Sequence, residues 1–235
     1  MIPTEQMEVV PDFIPFGVHA FTTMRQVGSF GTASDEPVST VMARWTALRD
    51  TAGKRGVRRL ATATQVHGAH VINHDRGWEG WLRANSADGH LALARGTAMA
   101  VTVADCVPVF LVHPSGAVAV LHSGWRGTAA RIAEQGIAAL AERGFPAAEV
   151  HMHLGPAICG KCYEVSPDVI RQVLGESAPS PRPIDLRAII ASHARALGVR
   201  HITISRSCTR CDNDRFFSHR AGDAGRQVGV IMAAS

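Results

Sequence analysis

The sequence contains little lysine and no block of one-signed charge. Of its 24 basic residues only Lys54 and Lys161 are lysines, and basic positions are interspersed with 20 acidic ones. Because no run of five like charges occurs, the sequence predicts no nucleic-acid partner. The abundant arginine suits planar oxyanions such as phosphate or carboxylate, although genomic base composition explains the same bias.

Long hydrophobic runs and a signal-peptide core are also missing. The longest apolar stretch, residues 98–112, is interrupted by Thr102 and Asp105, and the N-terminal residues carry acid rather than base. We therefore expect a cytoplasmic protein with no membrane partner. In that reducing compartment the five cysteines are expected to be metal ligands, catalytic thiols or buried small residues rather than disulfides.

The composition is that of a folded globular protein. The chain has 235 residues, of which 46% are apolar and 19% are charged, which is enough apolar material for a sizeable core. No linker rich in proline, glycine or serine divides the chain, since the nearest candidate, residues 177–183, is short. We predict a single α/β domain with mixed sheets over residues 1–235.

Strand and helix signals alternate along this domain. Apolar runs predict strands at residues 17–23, 60–66, 71–72, 98–103, 107–113, 118–122, 149–154, 201–205 and 228–232. Helical spacing and caps predict helices at residues 39–52 and 127–143, after Ser166, and at residues 186–197. Residues 73–90 are polar and glycine-rich and predict a long surface loop that contains Trp78 and Trp81.

Two histidines and one cysteine lie at the ends of predicted buried strands. They are His67, Cys106 and His122, and Cys106 is preceded by Asp105, whose charge is costly in a core unless it is paired or near solvent. Three such side chains could hold a zinc ion and leave its fourth position open. Their spacing matches no known ligand register, so core histidines and a buried thiol remain the alternative.

Residues 122–128 lie where a predicted strand leads into a predicted helix. Ser123, Gly124 and Gly127 would allow close backbone approach, and the start of the helix would offer unpaired N–H groups. Arg126 adds a fixed positive charge. The segment therefore predicts an anion site, although it lacks the lysine of a Walker loop.

Two C-x-x-C pairs form the strongest generic metal pattern of the chain. Cys159 and Cys162 form one pair, and Cys208 and Cys211 form the other. Four thiolates can close a structural zinc site, but the interval contains more predicted structure than a zinc ribbon holds. Free thiols and a redox pair remain the alternatives.

Five ordered segments resemble one known family. The match extends from about residue 17 to 232 and closely resembles the laccase-domain or polyphenol oxidase family, whose members are described as purine nucleoside phosphorylases with adenosine deaminase activity. The segments are Gln65–Gly68, Ala104–Pro108, His122–Gly127, Gly155–Ile158 with Cys162–Val165, and Phe216–Arg220 with Gly225–Arg226.

The resemblance implies a metal, a fold and a pair of reactions. It implies that the family's zinc ligands fall on His67, Cys106 and His122. It also implies an α/β sandwich related to the catalytic domain of deamidating bacterial toxins. The implied reactions are phosphorolysis of adenosine, inosine, guanosine and methylthioadenosine, with inorganic phosphate as the second substrate, and hydrolytic deamination of adenosine.

A mechanism follows as a hypothesis. Zinc would orient a phosphate oxygen or a water, and the N–H groups of residues 123–127 with Arg126 would share the anion. Arg25 and Arg44 are weaker candidates for the same task. Asp105, next to the thiolate, is a candidate proton carrier or orienting group.

Three other functions remain open at this point. Cys106 could be a nucleophile activated by His122 in a metal-independent hydrolase or deamidase. Copper could replace zinc in a polyphenol oxidase, but a multicopper centre needs many His-x-His pairs and only His151 and His153 form one. Finally, the four remaining cysteines could stabilise a non-enzymatic interaction module around zinc.

Overall fold

Two six-stranded mixed sheets form the centre of the computed structural model, which describes residues 2–74 and 77–234. Their strands, with a small two-stranded ribbon, are β1 (Met7–Val9), β2 (Val18–Thr23), β3 (Arg59–Ala63), β4 (Val71–Asn73), β5 (Gly80–Ala84), β6 (Gly89–Ala92), β7 (Thr97–Val103), β8 (Val107–Val112), β9 (Val118–Ser123), β10 (His151–Leu154), β11 (Glu164–Val165), β12 (Arg182–Pro183), β13 (His201–Ile204) and β14 (Gln227–Ala233). The first sheet has the order β1-β2-β14-β7-β3-β5, and the second has the order β13-β10-β8-β9-β6-β4. The predicted α/β class with mixed sheets is confirmed.

Within the described residues, five α-helices accompany the sheets. They are α1 (Val38–Gly53), α2 (Trp125–Ala129), α3 (Ile132–Ala141), α4 (Pro167–Leu174) and α5 (Leu186–Ala196). Two start at the predicted caps, because the side chain of Ser166 accepts from the N–H of Val169 and that of Asp185 accepts from the N–H of Ala188. Among the described residues, no helix is long and apolar enough to cross a membrane.

The elements pack as four layers, helix on sheet on sheet on helices. Side chains along β7 point alternately to the two faces of the first sheet. Met99 and Val101 face a core shared with the second sheet, and Ala98 faces the core under α1, so the sheet is covered on both faces. Strand β8 behaves in the same way, with Phe110 toward the first sheet and Leu111 toward α3 and α5. Both central strands are therefore covered on both faces, which is why they consist of near-continuous apolar residues.

The prediction of a long loop over residues 73–90 is wrong. This stretch contains β5 and the first residues of β6, and β5 pairs in parallel with β3. Trp81 lies in β5, where its ring packs 5.3 Å from that of Trp45 on α1. Polar and glycine residues in this stretch give no strand pattern in the sequence. Strand β5 nevertheless forms at the sheet edge, because pairing with β3 outweighs the local conformational preference of these residues. Asp75 and Arg76 lie outside the described residues.

The prediction of one helix over residues 127–143 is also wrong. The chain forms the short helix α2, breaks at Arg131, which adopts a left-handed backbone with φ of 62°, and resumes as α3. The apolar spacing of Ile132, Ile137 and Leu140 continues undisturbed. A left-handed arginine has no sequence signal of its own, so the break could not be read from the pattern. The short strands β1, β11 and β12 were likewise not predicted.

Helix α3 approaches the second sheet closely at Gly136. A Cβ atom there would lie 2.8 Å from Leu121 Cδ1 and 3.3 Å from Leu111 Cδ1, and both leucines are fully buried. We expect Gly136→Ala to lower the free energy of unfolding by about 1–2 kcal/mol, since overpacking outweighs the gain in helix propensity. Chemical denaturation measures the change.

A matched substitution at the end of α1 provides the control. A Cβ atom at Gly53 meets nothing within 4 Å. Gly53→Ala should therefore raise the free energy of unfolding by about 0.5–1 kcal/mol through helix propensity alone. Stabilisation of both variants would contradict the close approach of α3 to the sheet.

Candidate active site and metal centre

Three side chains from distant parts of the chain converge between the two sheets. His67 lies in the loop after β3, Cys106 in the turn between β7 and β8, and His122 near the end of β9. Their potential donor atoms all lie within 4.8 Å of one another, and the two imidazole rings meet edge to face at 4.8 Å. The structure thus brings together the three residues that the sequence selected.

A buried carboxylate, Asp88, fixes two of these side chains. Its Oδ1 accepts from the Nδ1–H of His122 at 2.8 Å and from the backbone N–H of His67 at 2.9 Å. Its Oδ2 accepts from the N–H groups of Val66 and Gly68 at 3.1 and 2.8 Å. Because a carboxylate only accepts, His122 must carry its proton on Nδ1, which leaves Nε2 for a metal or a thiol.

Charge coupling shifts the pKa values of the thiol and the imidazole in opposite directions. Burial by itself would raise the pKa of Cys106, but His122 and His67 beside it favour the thiolate, and the pKa is lowered. Burial would likewise lower the pKa of His122, but the thiolate of Cys106 and the carboxylate of Asp88 raise it. Hydrogen bonds also lower the pKa of Asp88 despite its burial. The site therefore favours a thiolate ligand or nucleophile.

Hydrogen bonds to the carboxylate of Asp105 fix the turn that contains Cys106. Asp105 has a left-handed backbone with φ of 82°, and such strain persists only where neighbours hold it. Its Oδ1 accepts from the hydroxyl of Thr209 at 2.6 Å, and its Oδ2 accepts from the N–H of Arg220 at 2.7 Å. Both oxygens of Asp105 are thus engaged in hydrogen bonds that fix this turn.

The three convergent residues line one wall of a cavity of about 640 Å³. Aromatic side chains from α1, β5 and the loop after β2 form another wall, namely Phe30, Trp45 and Trp81. Two cationic side chains, Arg83 and Arg226, line it as well, and so does the imidazole of His219. The cavity thus combines flat apolar faces with positive charge near a candidate metal centre.

All six residues predicted to bind phosphate lie outside this cavity. Arg126 is exposed and its guanidinium stacks on Trp125 at 4.2 Å. Ser123, Gly124 and Gly127 are buried in the turn after β9, and none of the four belongs to the cavity wall. The helix that starts there, α2, spans only five residues, and an anion site at its start stays a prediction.

The two other predicted phosphate ligands are already paired with carboxylates. Arg25 donates to Asp223 at 2.5 Å, and Arg44 donates to Glu36 at the same distance. Neither arginine lines the cavity. Each guanidinium is thus paired with a carboxylate, and a role of these arginines in phosphate binding stays a prediction.

Sequence reasoning missed Asp88 and the aromatic wall. Asp88 follows β5 in a polar, glycine-rich stretch, and no sequence pattern indicates its pairing with His122. The one available signal was Trp81, an aromatic residue in a segment that looked polar. By contrast, the second predicted cluster does form: the sulfur atoms of Cys159, Cys162, Cys208 and Cys211 lie within 4.8 Å of one another.

Comparison with known proteins matches this chain to one family over residues 23–234, described as multi-copper polyphenol oxidoreductase laccase. The chain belongs to this family. A purine nucleoside phosphorylase of Streptomyces coelicolor is 34% identical over 212 residues, which cover 86% of this chain and 85% of that protein. An adenosine deaminase of an unknown prokaryotic organism is 35% identical over 147 residues, 57% of this chain and 56% of that protein.

Solved structures share the laccase-family fold. The crystal structure of YlmD from Geobacillus stearothermophilus has a TM-score of 0.86 and 26% identity, covering 96% of this chain and 94% of that one. A Neisseria meningitidis protein has a TM-score of 0.85 at 24% identity, covering 98% and 100%, and therefore shows the fold alone. The curated sequence of YlmD is named a purine nucleoside phosphorylase.

The family's copper description finds little support in the histidine positions. Within residues 2–74 and 77–234, two groups of residues could hold a metal, and they are the His67 cluster and the four cysteines. The His-x-His pair lies elsewhere, on β10, where His151 stacks on His201 at 4.3 Å and His153 contacts Thr203. The donor set of a multicopper centre is thus not assembled by these residues.

Removing the charge of Asp88 tests its orienting role. Asp88→Asn keeps the size of the side chain but can no longer accept from all four N–H groups, so His122 loses its fixed tautomer. We expect zinc affinity to fall by about 10–100-fold, as measured by competition with a chromogenic chelator. The control Asp50→Asn, on the exposed face of α1, should bind zinc as the unmodified protein does; equal affinities of both variants would refute the role of Asp88.

A second prediction concerns the space behind the thiol. A Cβ atom at Gly124 would lie 2.8 Å from Cys106 Sγ, whereas one at Gly68 would meet nothing closer than 3.6 Å. Gly124→Ala should displace the sulfur and weaken zinc binding by about tenfold or more. Gly68→Ala should bind zinc normally. Zinc retained after dialysis against chelator is the measurement, and equal retention would contradict the crowding of Cys106.

Proposed function

We propose that this protein is a zinc-dependent purine nucleoside phosphorylase that acts on adenosine, inosine, guanosine and methylthioadenosine and that also deaminates adenosine. The observation that carries the proposal is the convergence of His67, Cys106 and His122 on the wall of an aromatic-lined cavity. Relatives named purine nucleoside phosphorylase and adenosine deaminase support the two reaction classes.

The donor set suits zinc. Two imidazoles and one thiolate supply three of the four positions of a tetrahedral ion and leave one for an exchangeable ligand. Asp88 accepts a hydrogen bond from Nδ1 of His122, so Nε2 of this ring could bind the metal. His122 and His67 beside Cys106 lower the pKa of its thiol despite burial and so favour the thiolate. When bound, zinc would supply Lewis acidity, which polarises a phosphate oxygen or makes water a better nucleophile near neutral pH.

The aromatic wall would bind the purine. The indole N–H of Trp45 donates to the carbonyl of Phe30 at 3.0 Å, and that of Trp81 donates to the hydroxyl of Thr62 at 2.9 Å. Both indole rings are therefore held in place before a ligand arrives. Phe30 and Trp45 are largely buried, so Trp81 would offer the fixed aromatic face for a nucleobase, and such stacking tolerates both adenine and guanine.

Phosphate would bind beside this wall. We assign it to Arg83 and Arg226, which line the cavity, in place of Arg25, Arg44 and Arg126, which do not. Nη1 of Arg226 already donates to three backbone carbonyls, so Arg83 would be the main ligand. In phosphorolysis the bond between the purine nitrogen and ribose C1′ breaks, a bond from C1′ to a phosphate oxygen forms, and the purine takes up a proton. The two guanidiniums would hold the phosphate dianion in line with the breaking bond.

One experiment separates the two activities. The purified protein is incubated with adenosine, with and without phosphate, and the products are separated by chromatography. We expect adenine only when phosphate is present, inosine in both conditions, and hypoxanthine where both reactions have occurred. Absence of adenine and hypoxanthine at every phosphate concentration would refute the phosphorylase.

A variant tests the dependence on the metal ligands. Cys106→Ala should lower both activities by at least about 100-fold, since several kcal/mol of transition-state stabilisation are lost with the ion. The melting temperature checks that the variant is folded. His201→Ala, on the edge strand β13, serves as control and should retain activity. Full phosphorolysis by folded Cys106→Ala would overturn the zinc-centred proposal.

A second candidate function rests on the alignment of Cys106, His122 and Asp88. A thiol, an imidazole and a buried carboxylate in this order can form a nucleophile, its base and an orienting acid, as in cysteine hydrolases. This alternative predicts amidase or deaminase activity that survives chelators and is abolished by iodoacetamide. The zinc enzyme should instead lose activity with chelator and regain it when zinc is added.

A further inference from the structure

The two C-x-x-C loops meet at one end of the second sheet. Strands β10 and β13 are parallel neighbours, with Leu154 opposite Ile204, and a further bridge pairs Ala157 with Cys208. Parallel strands place their carboxyl ends at the same edge. The loop after β10 therefore faces the loop after β13, and four cysteines separated in sequence become neighbours.

The sulfur geometry is that of a tetrahedral cage. All four Sγ atoms lie within 4.8 Å of one another, and those of Cys162 and Cys211 are 3.5 Å apart. Four sulfurs at the Zn–S distance of about 2.3 Å in a tetrahedron are about 3.8 Å from one another. The observed spacing brackets that value, so little movement would be needed to enclose an ion.

Backbone N–H groups favour the thiolate form of Cys208, and each loop contains a cation. The N–H groups of Cys159 and Cys211 point at the sulfur of Cys208 from 3.2 and 3.4 Å. Such N–H donors stabilise negative sulfur and are typical neighbours of metal-bound thiolate. Each loop also carries one cation, Lys161 or Arg210, and Arg210 donates to the carbonyl of Cys162 at 3.3 Å. These charges would offset the double negative charge of a four-thiolate zinc site.

We propose that Cys159, Cys162, Cys208 and Cys211 bind a structural zinc ion that is distinct from the ion at His67, Cys106 and His122. The four thiolates would fill every coordination position, so the site has no room for substrate. Neither the reaction proposed above nor the family description requires it. The proposal therefore stands independently of the proposed function.

This second ion would support the active-site turn. Thr209, between Cys208 and Cys211, donates its hydroxyl to Asp105, and the N–H of Ile158, just before Cys159, donates to the carbonyl of Asp105 at 3.1 Å. Both loops of the cysteine cluster thus hold the strained residue that precedes Cys106. Fixing the loops with an ion would position the thiolate without touching the substrate.

Metal content tests the proposal directly. Zinc per chain is measured by mass spectrometry of the metal in protein purified under reducing conditions. We expect about two ions for the natural sequence, about one for Cys106→Ala, and none for Cys106→Ala combined with Cys211→Ser. One ion in the natural sequence and none in Cys106→Ala would overturn the second site.

Cobalt provides a readout that leaves the four cysteines intact. In folded Cys106→Ala, which lacks the first site, bound Co²⁺ should show the strong sulfur-to-metal charge transfer and red absorption of a tetrahedral four-thiolate ion. Should that variant not fold, the same titration of the unmodified chain should saturate at about two equivalents. Saturation at one equivalent without the absorption of a four-thiolate ion would reject the site.

Competing fates of the cysteines give different results. Disulfides between the pairs would appear as missing free thiols in the denatured, metal-free protein and would overturn the proposal. Iron in place of zinc would colour the purified protein and would overturn the choice of ion. Finding zinc at both sites in a protein without phosphorolysis would support this inference while refuting the proposed function.

Discussion

The carboxylate of Asp88 is the contact on which the active-site geometry depends. It is completely buried, and its four accepted hydrogen bonds join the loop at His67 to the ring of His122. His67 itself has a left-handed backbone with φ of 60°, which costs energy in an isolated chain. A buried carboxylate must in turn be fully paired. The strained loop and the buried charge thus compensate each other, and the convergent side chains of His67 and His122 are in place as a result.

Asp105, next to Cys106, likewise combines a strained backbone with a paired carboxylate. Asp105 is also left-handed, and its carboxylate also accepts from groups that are distant in sequence. Cys106 therefore lies between two strained, well-bonded turns that leave its side chain little freedom. Such preorganisation benefits both candidate chemistries, because a metal ligand and a nucleophile alike must be held in one position.

Sequence reasoning identified what local patterns and ordered motifs can carry. Apolar runs located the central strands β7, β8 and β9, since burial on both faces leaves an unambiguous hydrophobic signal. Histidine and cysteine at strand ends, together with the family motifs, located the three convergent side chains. The C-x-x-C pattern located the second cluster, although nothing in the spacing could show that β10 and β13 are neighbours.

What sequence reasoning could not supply depends on long-range pairing. Strand β5 exists because β3 offers it an edge, and the break at Arg131 occurs within an unbroken apolar periodicity. Charge pairing was equally invisible, because Arg25 and Arg44 meet their acidic partners only in the folded chain. The sequence does not show which arginines have a carboxylate partner, whereas in the folded protein Arg25 and Arg44 are each paired with one.

The placement of the three convergent residues has a mechanical consequence. His67 follows a strand of the first sheet, His122 belongs to the second, and Cys106 lies where the chain passes from one to the other. An ion bound by all three side chains would link the two sheets at one edge of their interface. Binding of the ion would then raise the melting temperature and slow amide hydrogen exchange in both sheets. The same three side chains would thus serve both catalysis and the stability of the fold.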